Sequence, residues 1–482
     1  MLRHGVYVTE AATSVVAPVT ANAGLPVVVG TAPLHLAKDP AAANKPVLIN
    51  TYKEAVEQFG YSDDWEKYTL CEFMKSHFSL FAVSPVVFIN VLDPEKHKTQ
   101  ESSNSVTLES RVGKITAPAL MSTLVLKSAT DQAVLKKGTD YVVGHDSDGN
   151  IVVTILPESK VAEARNVTAE YTELDPSAVT KKDIIGGIDP STGKASGLER
   201  ISDVFGKFKL VPGLLLAPKW STDPEVAAVM SAKASSINMH FRCLTVVDIP
   251  TSSVTKYTDV VKWKNDNNYT QENMIACWPM VKMGDDVYHL STQVAGLMCK
   301  TDAEFGDVPY VSPSNRKLQA VGTCLYNGEE VDMPKEGADY LGEMGIVTAI
   351  NFSGGWTAWG NHTAAYPAVT DVKDSIIPVR RMFTWLANTL VLTFWQKVDA
   401  PLNLRLVKTI QDTAQQWIDS LAARECILGG RVEFFETENS KLDLMSGKAT
   451  FHVYFTPPSP AQEINFTTEY DPNELDKLFG DQ

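Results

Sequence analysis

The chain has 482 residues, 44% of them hydrophobic and 21% charged, with a formal net charge of −15. That length allows two to four domains with proper cores. The acidic balance argues against a nucleic-acid surface, which shows a basic stripe, and it makes copies of the chain repel one another, so any assembly must overcome that repulsion by local pairing.

From the N-terminus, residues 5–10 (GVYVTE) alternate as a short strand, with Val6 and Val8 on one face and Tyr7 and Thr9 on the other. A small-residue linker, expected to be flexible, runs from Ala11 to Gly24. Residues 1–30 show no charged segment ahead of an apolar one, so no secretory signal is expected. Residues 26–95 read as an α/β segment. Its signals are the apolar runs Val27–Val29, Val47–Ile49 and Val86–Ile89, a helix opened by the capping box Thr51/Glu54 and closed at Gly60, and a helix from Leu70 to Phe78. Residues 96–178, entered through a loop-like polar stretch, carry short strands around Leu124, Tyr141, Ile151 and Val167. Turns such as 146–150 separate them, the pattern of an inserted all-β sandwich. From 179 to 352, strand candidates Gly213–Ala217, Leu244–Ile249 and Ile275–Trp278 alternate with helices near 223–237 and 254–266, which implies a largely parallel sheet.

Residues 353–456 read as an α+β unit. A helix around Phe383–Trp395 is apolar nearly all round and should be buried, yet it is too short for a bilayer that needs ~20 apolar residues. A second helix, over 402–428, has the stripe Leu406, Ile410, Ala414, Trp417 and Leu421 and is expected to end at Gly429-Gly430. Strands around Val432 and Ala449–Phe455 follow. Pro457, Pro458 and Pro460 stop the sheet, because proline removes a ladder donor. Ile464, Phe466, Thr468 and Tyr470 then alternate with polar residues as a last, tethered strand. The chain thus has candidate arm strands in 1–25 and 457–482. Unpaired strand edges template association, so two of them on linkers point to β-augmentation between copies. The alternative is that both ends pair within one molecule.

The chemistry search yields little. Residues 187–194 (GIDPSTGK) resemble a phosphate loop, but the spacing is one residue too long and Ala195 stands where Ser or Thr should bind magnesium, so a solvated turn is expected. Asp146, Asp148 and Asn150 begin like a calcium loop, but Gly149 comes too early and a hairpin turn fits better. His77 reads as a satisfied core histidine, and Trp356 and Trp359 as a loop staple before a sugar platform. Cys71, Cys243, Cys277, Cys299, Cys324 and Cys426 have no CxxC spacing and read as buried thiols in a reducing compartment. No catalytic residue, metal site or cofactor is expected.

The block Trp356-Thr-Ala-Trp359-Gly360-Asn361-His-Thr363, followed by Val379-Arg380-Arg381, resembles the WGNxT…RR block of contractile tail sheath proteins from contractile-tailed phages and phage-tail-like bacteriocins. His362 stands where the family often has arginine. HGVYVTE at the start, VVVGTAP at 27–33, SPSN at 312–315, Gly430, Asn439, Gly447 and the Pro460-Ala461-x-x-Ile464-x-Phe466 ending extend the similarity in order over most of the chain.

The resemblance implies an α/β multidomain chain. It would have a subtilisin-like parallel-sheet domain without a protease triad, an inserted β-sandwich, an α+β C-terminal domain facing an inner tube, and strand-bearing arms at both termini that link subunits. It implies a non-enzymatic sheath that polymerises as stacked hexameric rings around the tube protein, meets baseplate and terminator proteins, and contracts. It further implies no nucleic-acid partner, no direct membrane insertion, and assembly in the host bacterial cytoplasm into a virion tail or phage-tail-like particle. Lys408, Asp412, Asp419 and Arg424, on the polar face of the second C-terminal helix, are candidates for tube contact, with a solvated helix face as the alternative. A cytosolic α/β hydrolase with an accessory β domain and another self-assembling shell or tube protein stay open. The missing nucleophile motif counts against the first and the WGNxT…RR block against the second.

Overall fold

The computed structural model describes residues 19–146 and 149–479. At its centre is an eight-stranded sheet. Across the sheet the order is Thr357–Trp359, Ile346–Ile350, Met274–Cys277, Leu244–Asp248, Leu214–Leu216, Pro26–Gly30, Val86–Asn90 and Pro46–Ile49. The six inner strands are parallel, and an antiparallel strand closes each edge. Helices cover both faces, so these strands are apolar runs rather than alternating ones, and Val27–Val29, Val86–Ile89 and Leu214–Leu216 are wholly buried.

Between Val86–Asn90 and Leu214–Leu216 the chain leaves the sheet and builds two three-stranded antiparallel sheets. One joins Lys98–Thr107, Asn166–Leu174 and Val125–Ser128; the other joins Val112–Ile115, Ile151–Ile155 and Tyr141–His145. Leu126, Tyr141, Val153, Val167 and Ala169 form part of a hydrophobic core separate from the main one. The polar stretch read as a loop is strand from Lys98 onward, because its ladder with Asn166–Leu174 meets the backbone need that polar side chains leave open. The molecule is therefore a mixed α/β multidomain protein with one large, mostly parallel sheet and several small antiparallel ones.

In open α/β sheets, ligands bind at the carboxyl ends of the strands. Here a cavity of about 220 Å³ lies at the ends of Leu244–Asp248 and Met274–Cys277, and the polar groups around it pair with one another. Asp248 caps the helix Leu290–Glu304, accepting the Ser291 N–H at 2.9 Å and the Ser291 hydroxyl. Glu72 accepts the His289 N–H at 2.7 Å, faces His289 Nδ1 at 2.7 Å and accepts the Thr292 hydroxyl at 3.0 Å. Burial alone would lower the His289 pKa, but the Glu72 and Asp248 carboxylates outweigh it and raise it to about 9. The imidazole is thus a paired cation, and the serine hydroxyl beside it is spent on Asp248.

The helix Ile377–Phe394 is buried as its composition requires, but its polar residues are clamps. Residues 19–24, read as part of a flexible linker, are held along it. Thr393 Oγ1 accepts the Val19 N–H at 3.1 Å and Thr389 Oγ1 accepts the Ala21 N–H at 3.1 Å. Trp385 Nε1 donates to Ala21 O at 2.8 Å, and Arg381 Nη2 donates to Ala23 O at 3.3 Å. The match is geometric: two extended residues advance about 6.7 Å and four helical residues about 6 Å, so alternate linker residues meet successive turns. Arg381 also forms a bidentate pair with Asp302, both almost fully buried, with Nη1 to Oδ1 at 2.9 Å and Nη2 on Oδ2. Asn388 holds the backbone of Arg242 through both its amide groups, at 3.0 and 2.7 Å.

Two further expectations change. The helix from Leu70 ends its α-form at Met74 and continues as a π-helix over Lys75–Leu80. There His77 is buried with neither ring nitrogen hydrogen-bonded, so it is a core histidine but not a satisfied one. All six cysteines are buried and free. Among the described residues no helix is long and apolar enough to cross a membrane, and no cluster of three His, Cys, Asp or Glu residues could hold a metal.

Removing one partner of a buried ion pair strands the other charge. Arg381→Met is therefore expected to cost ~3–5 kcal/mol, and adding Asp302→Leu to recover most of that. Urea unfolding followed by tryptophan fluorescence checks both, since Trp385 lies in the joint; a single-variant cost below ~1 kcal/mol would refute the assignment.

Candidate assembly interface

The WGN block forms one joint at the sheet's edge. Thr357–Trp359 pairs antiparallel with Ile346–Ile350. On its other side it binds the SPSN loop: Ala358 O accepts the Asn315 N–H at 2.7 Å, and Ala358 N–H donates to Arg316 O at 3.0 Å. Trp359 Nε1 donates to Asp339 at 2.9 Å, and half-buried Trp356 packs on the core, so both tryptophans staple the loop. Gly360 has φ 133°, and a Cβ there would lie 3.0 Å from Ile346 O, which is why the position takes glycine. Asn361 accepts the Ser312 hydroxyl, and its carbonyl accepts the Ile377 N–H at 2.8 Å, opening the long helix. Buried Thr363 donates to Asp374 O at 2.7 Å, and Arg380 Nη1 donates to Asp374 Oδ1 at 2.8 Å. Arg381, one residue on and about 100° around the helix, points instead to Asp302. The block therefore joins edge strand, SPSN loop and helix, while Arg381 serves the separate joint with the N-terminal linker.

Lys264, almost wholly buried, locks the same corner. Its ammonium donates to Met344 O at 2.7 Å and Tyr366 O at 3.0 Å. Burial lowers its pKa to about 8. Sequence reasoning missed it, as it missed Asp302, because a single charged residue in a helix reads as solvent-facing. The four-residue spacing Arg381, Trp385, Thr389, Thr393 was the one readable signal of a clamp.

The second C-terminal helix spans Leu404–Ala423, shorter than read. Glu425 takes a left-handed conformation to end it, and Gly429-Gly430 instead open the strand Gly429–Glu433. The glycine serves close packing: a Cβ on Gly430 would meet Tyr454 O at 2.5 Å and Ile418 Cγ2 at 2.7 Å. Gly429–Glu433 pairs antiparallel with His452–Thr456. Its other edge is covered by the helix, since Gln411 Nε2 donates to Val432 O at 2.9 Å, Gln415 Oε1 accepts the Val432 N–H at 2.8 Å, and Gln415 Nε2 donates to Gly430 O at 3.3 Å. Backbone groups alternate in direction along antiparallel strands, so Val453 and Phe455 present theirs outward. Among the described residues that edge has no strand partner.

The C-terminal arm residues Ile464, Phe466, Thr468 and Tyr470 are exposed and sit in no ladder, with Phe466 88% and Tyr470 77% accessible. Val6, Tyr7, Val8 and Thr9 lie outside the described residues, as does Asp148. Asp146 takes the Asn150 N–H at 2.8 Å and pairs with Lys114 in a hairpin. Asp189 accepts Ser191 and Thr192 groups inside an exposed turn. Lys408, Asp412 and Asp419 are exposed within about 40° of one another on their helix, whereas Arg424, past its end, lies about 160° around from Lys408.

The chain is similar in sequence to two tail sheath proteins and in shape to chains of contractile particles. A tail sheath protein of Burkholderia phage BcepMu is 27% identical over 397 residues, 80% of this chain and 81% of the relative. A putative prophage major tail sheath protein of Pseudomonas aeruginosa is 26% identical over 312 residues, 62% of this chain and 74% of the relative. The anti-feeding prophage helical sheath in its contracted state superposes with a TM-score of 0.57 at 15% identity, covering 98% of this chain and 100% of that one. The chain has the tail-sheath fold. A chain of the anti-feeding prophage baseplate structure also matches, with a TM-score of 0.57 at 16% identity over 98% of this chain and 99% of that one. No protein-family model matches. Against the sheath fold, the motif that carried the sequence resemblance is an internal joint, and the free surfaces lie elsewhere, on the hairpin edge and the C-terminal tail.

A lysine with a lowered folded pKa binds fewer protons folded than unfolded between about pH 8 and its ordinary value near 10.5. Its penalty is full below pH 8 and relieved as pH rises through that window. Wild-type stability is thus expected to gain up to ~3 kcal/mol relative to Lys264→Met between pH 7.5 and pH 10.5. Paired urea titrations read the difference, and a constant gap would refute it.

Proposed function

We propose that this chain is a structural, non-enzymatic subunit of a contractile tail sheath, part of a phage tail or phage-tail-like particle. Copies polymerise around an inner tube as an extended, metastable helical lattice, and contraction drives the tube through a target envelope. The observation that carries this is the sequence similarity to a tail sheath protein across 80% of the chain. The hydrolase alternative is disfavoured because the Ser291 hydroxyl donates to Asp248 rather than to His289, and the His289 imidazole, its pKa raised to about 9, stays protonated and cannot serve as a base.

Within this proposal, 26–95 and 179–352 form the subtilisin-like α/β unit, 96–178 the inserted sandwich, and 353–456 the tube-facing unit. Lys408, Asp412 and Asp419 are tube-contact candidates, with Arg424 at the helix end. Segments 1–25 and 457–482 supply arms that add strands to neighbouring copies. Assembly proceeds in the host cytoplasm as stacked hexameric rings, bounded by baseplate and terminator proteins.

The geometry supports the arm exchange. One chain offers both an unladdered β-rich segment, 464–470, and an uncovered sheet edge at Val453 and Phe455. Pro457, Pro458 and Pro460 stiffen the tether between them, which disfavours folding back. Each strand joint adds several hydrogen bonds of ~0.5–1.5 kcal/mol net, and repetition over a lattice supplies avidity. Such joints persist while the globular bodies turn, so the lattice can collapse to a better-packed state without dissociating.

Electron microscopy of the concentrated protein, alone and with a co-expressed tube protein, is expected to show hollow striated tubes. Chains lacking residues 1–10 or 464–482 are expected to stay folded but monomeric. Tubes from either truncated chain would overturn the arm exchange, and absence of tubes from the full chain in both conditions would overturn the sheath reading.

A further inference from the structure

We propose that the terminal helical segment Pro472–Phe479 of one copy docks on the short helix Lys441–Met445 of a neighbour, and that this docking sets the arm strand antiparallel to His452–Thr456. The inference rests on the arm exchange above. Leu475 and Leu478 stand three apart on a 3-10 helix, where such residues eclipse, and both are exposed. Leu442 and Met445 are also three apart, on one α-turn, 76% and 85% accessible. Neither pair belongs to the hydrophobic cores.

The connection carrying Leu442 and Met445 sits at the His452 end of the hairpin. Asn439 holds Thr450 through both amide groups, at 2.7 and 2.9 Å, and Glu438 pairs with His452 Nδ1 at 2.9 Å. Strand direction decides which end of an incoming arm reaches it. An antiparallel arm delivers the residues after Tyr470 onto this connection. A parallel arm delivers them to the Thr456 end, beside exposed Leu428.

Charge and length favour the antiparallel case. Glu469 and Asp471 stand at the arm's far end, ahead of Glu474, which pairs with Lys477 within the terminal segment. Lys441 and Lys448 are exposed on the receiving connection and form no ion pair among the described residues, whereas Glu438 and Asp443 there are engaged by His452 and Ser440, leaving Glu436 as the remaining acid. The receiving strand of five residues spans about 17 Å, so the seven residues 464–470 overhang it and bring the acidic end over the two lysines. The stiff proline tether makes a second copy, rather than the chain's own tail, the occupant.

Cysteine cross-linking in assembled tubes tests this. Met445→Cys/Leu475→Cys is expected to give a ladder of disulfide-linked multimers on a non-reducing gel after mild oxidation, above the background of wild-type tubes, and Leu428→Cys/Leu475→Cys none. Leu442→Cys/Leu478→Cys repeats the measurement should the first pair block assembly. A ladder from the Leu428 pair, or tubes with no ladder from the Met445 and Leu442 pairs, overturns the docking alone. A wild-type chain that forms no tubes, with or without tube protein, overturns the sheath reading and the docking with it.

Discussion

The buried Arg381–Asp302 pair is the constraint on which the arm-bearing part of the chain depends. Two charges taken out of water are tolerated only when each satisfies the other, so the helix Ile377–Phe394 has one allowed seat against Leu290–Glu304. With the helix seated, its four-residue ladder of Arg381, Trp385, Thr389 and Thr393 presents a track for the extended residues 19–24. Phe383, on another side of the same helix, meets Phe455 with ring centroids 4.3 Å apart. The roots of both terminal segments are thus fastened to one rigid rod.

The sheet edges are covered to different degrees. The large sheet is closed on both sides by antiparallel strands, and one of these is further covered by the SPSN loop. The small C-terminal hairpin is treated differently on its two edges. Gln411 and Gln415 imitate a neighbouring strand along Gly429–Glu433, while His452–Thr456 is left open. Exposed edges are normally suppressed because they template aggregation. Among the described residues the edge strands of the small sheets also lack an outer strand, so what distinguishes His452–Thr456 is that the same chain carries an unladdered, β-branched and aromatic segment at 464–470.

The strand ends of the large sheet illustrate the opposite choice. Their location is where an α/β fold would bind a ligand, yet Glu72 and Asp248 there share the His289 cation at a helix N-terminus whose positive end favours carboxylates. Polar groups clustered at that place stabilise a joint between helix and sheet.

Local pattern decided much of this protein. Continuous apolar runs such as Val86–Ile89 and Gly213–Ala217 marked doubly covered strands because no polar side chain interrupts them. The capping box at Thr51 marked a helix start, and the ordered WGNxT…RR residues carried the resemblance to tail sheaths. Tertiary structure decided the rest, since it turns on partners far apart in sequence. Residues 19–24 read as a linker because small residues have no period, and only the threonine ladder more than 360 positions away gives them a place. Gly429-Gly430 read as a helix cap because glycine at a helix end usually is one, yet it is the close approach of Ile418 and Tyr454 that requires glycine at 430, while a Cβ at 429 would meet nothing. Lys264 and Asp302 carry no local signal in the sequence, and only burial beside carbonyls or an arginine reveals them as locks. Sequence determines which segments are strand, helix or tether, because those follow from neighbours along the chain; which polar residues are buried and which edge stays open depends on long-range packing.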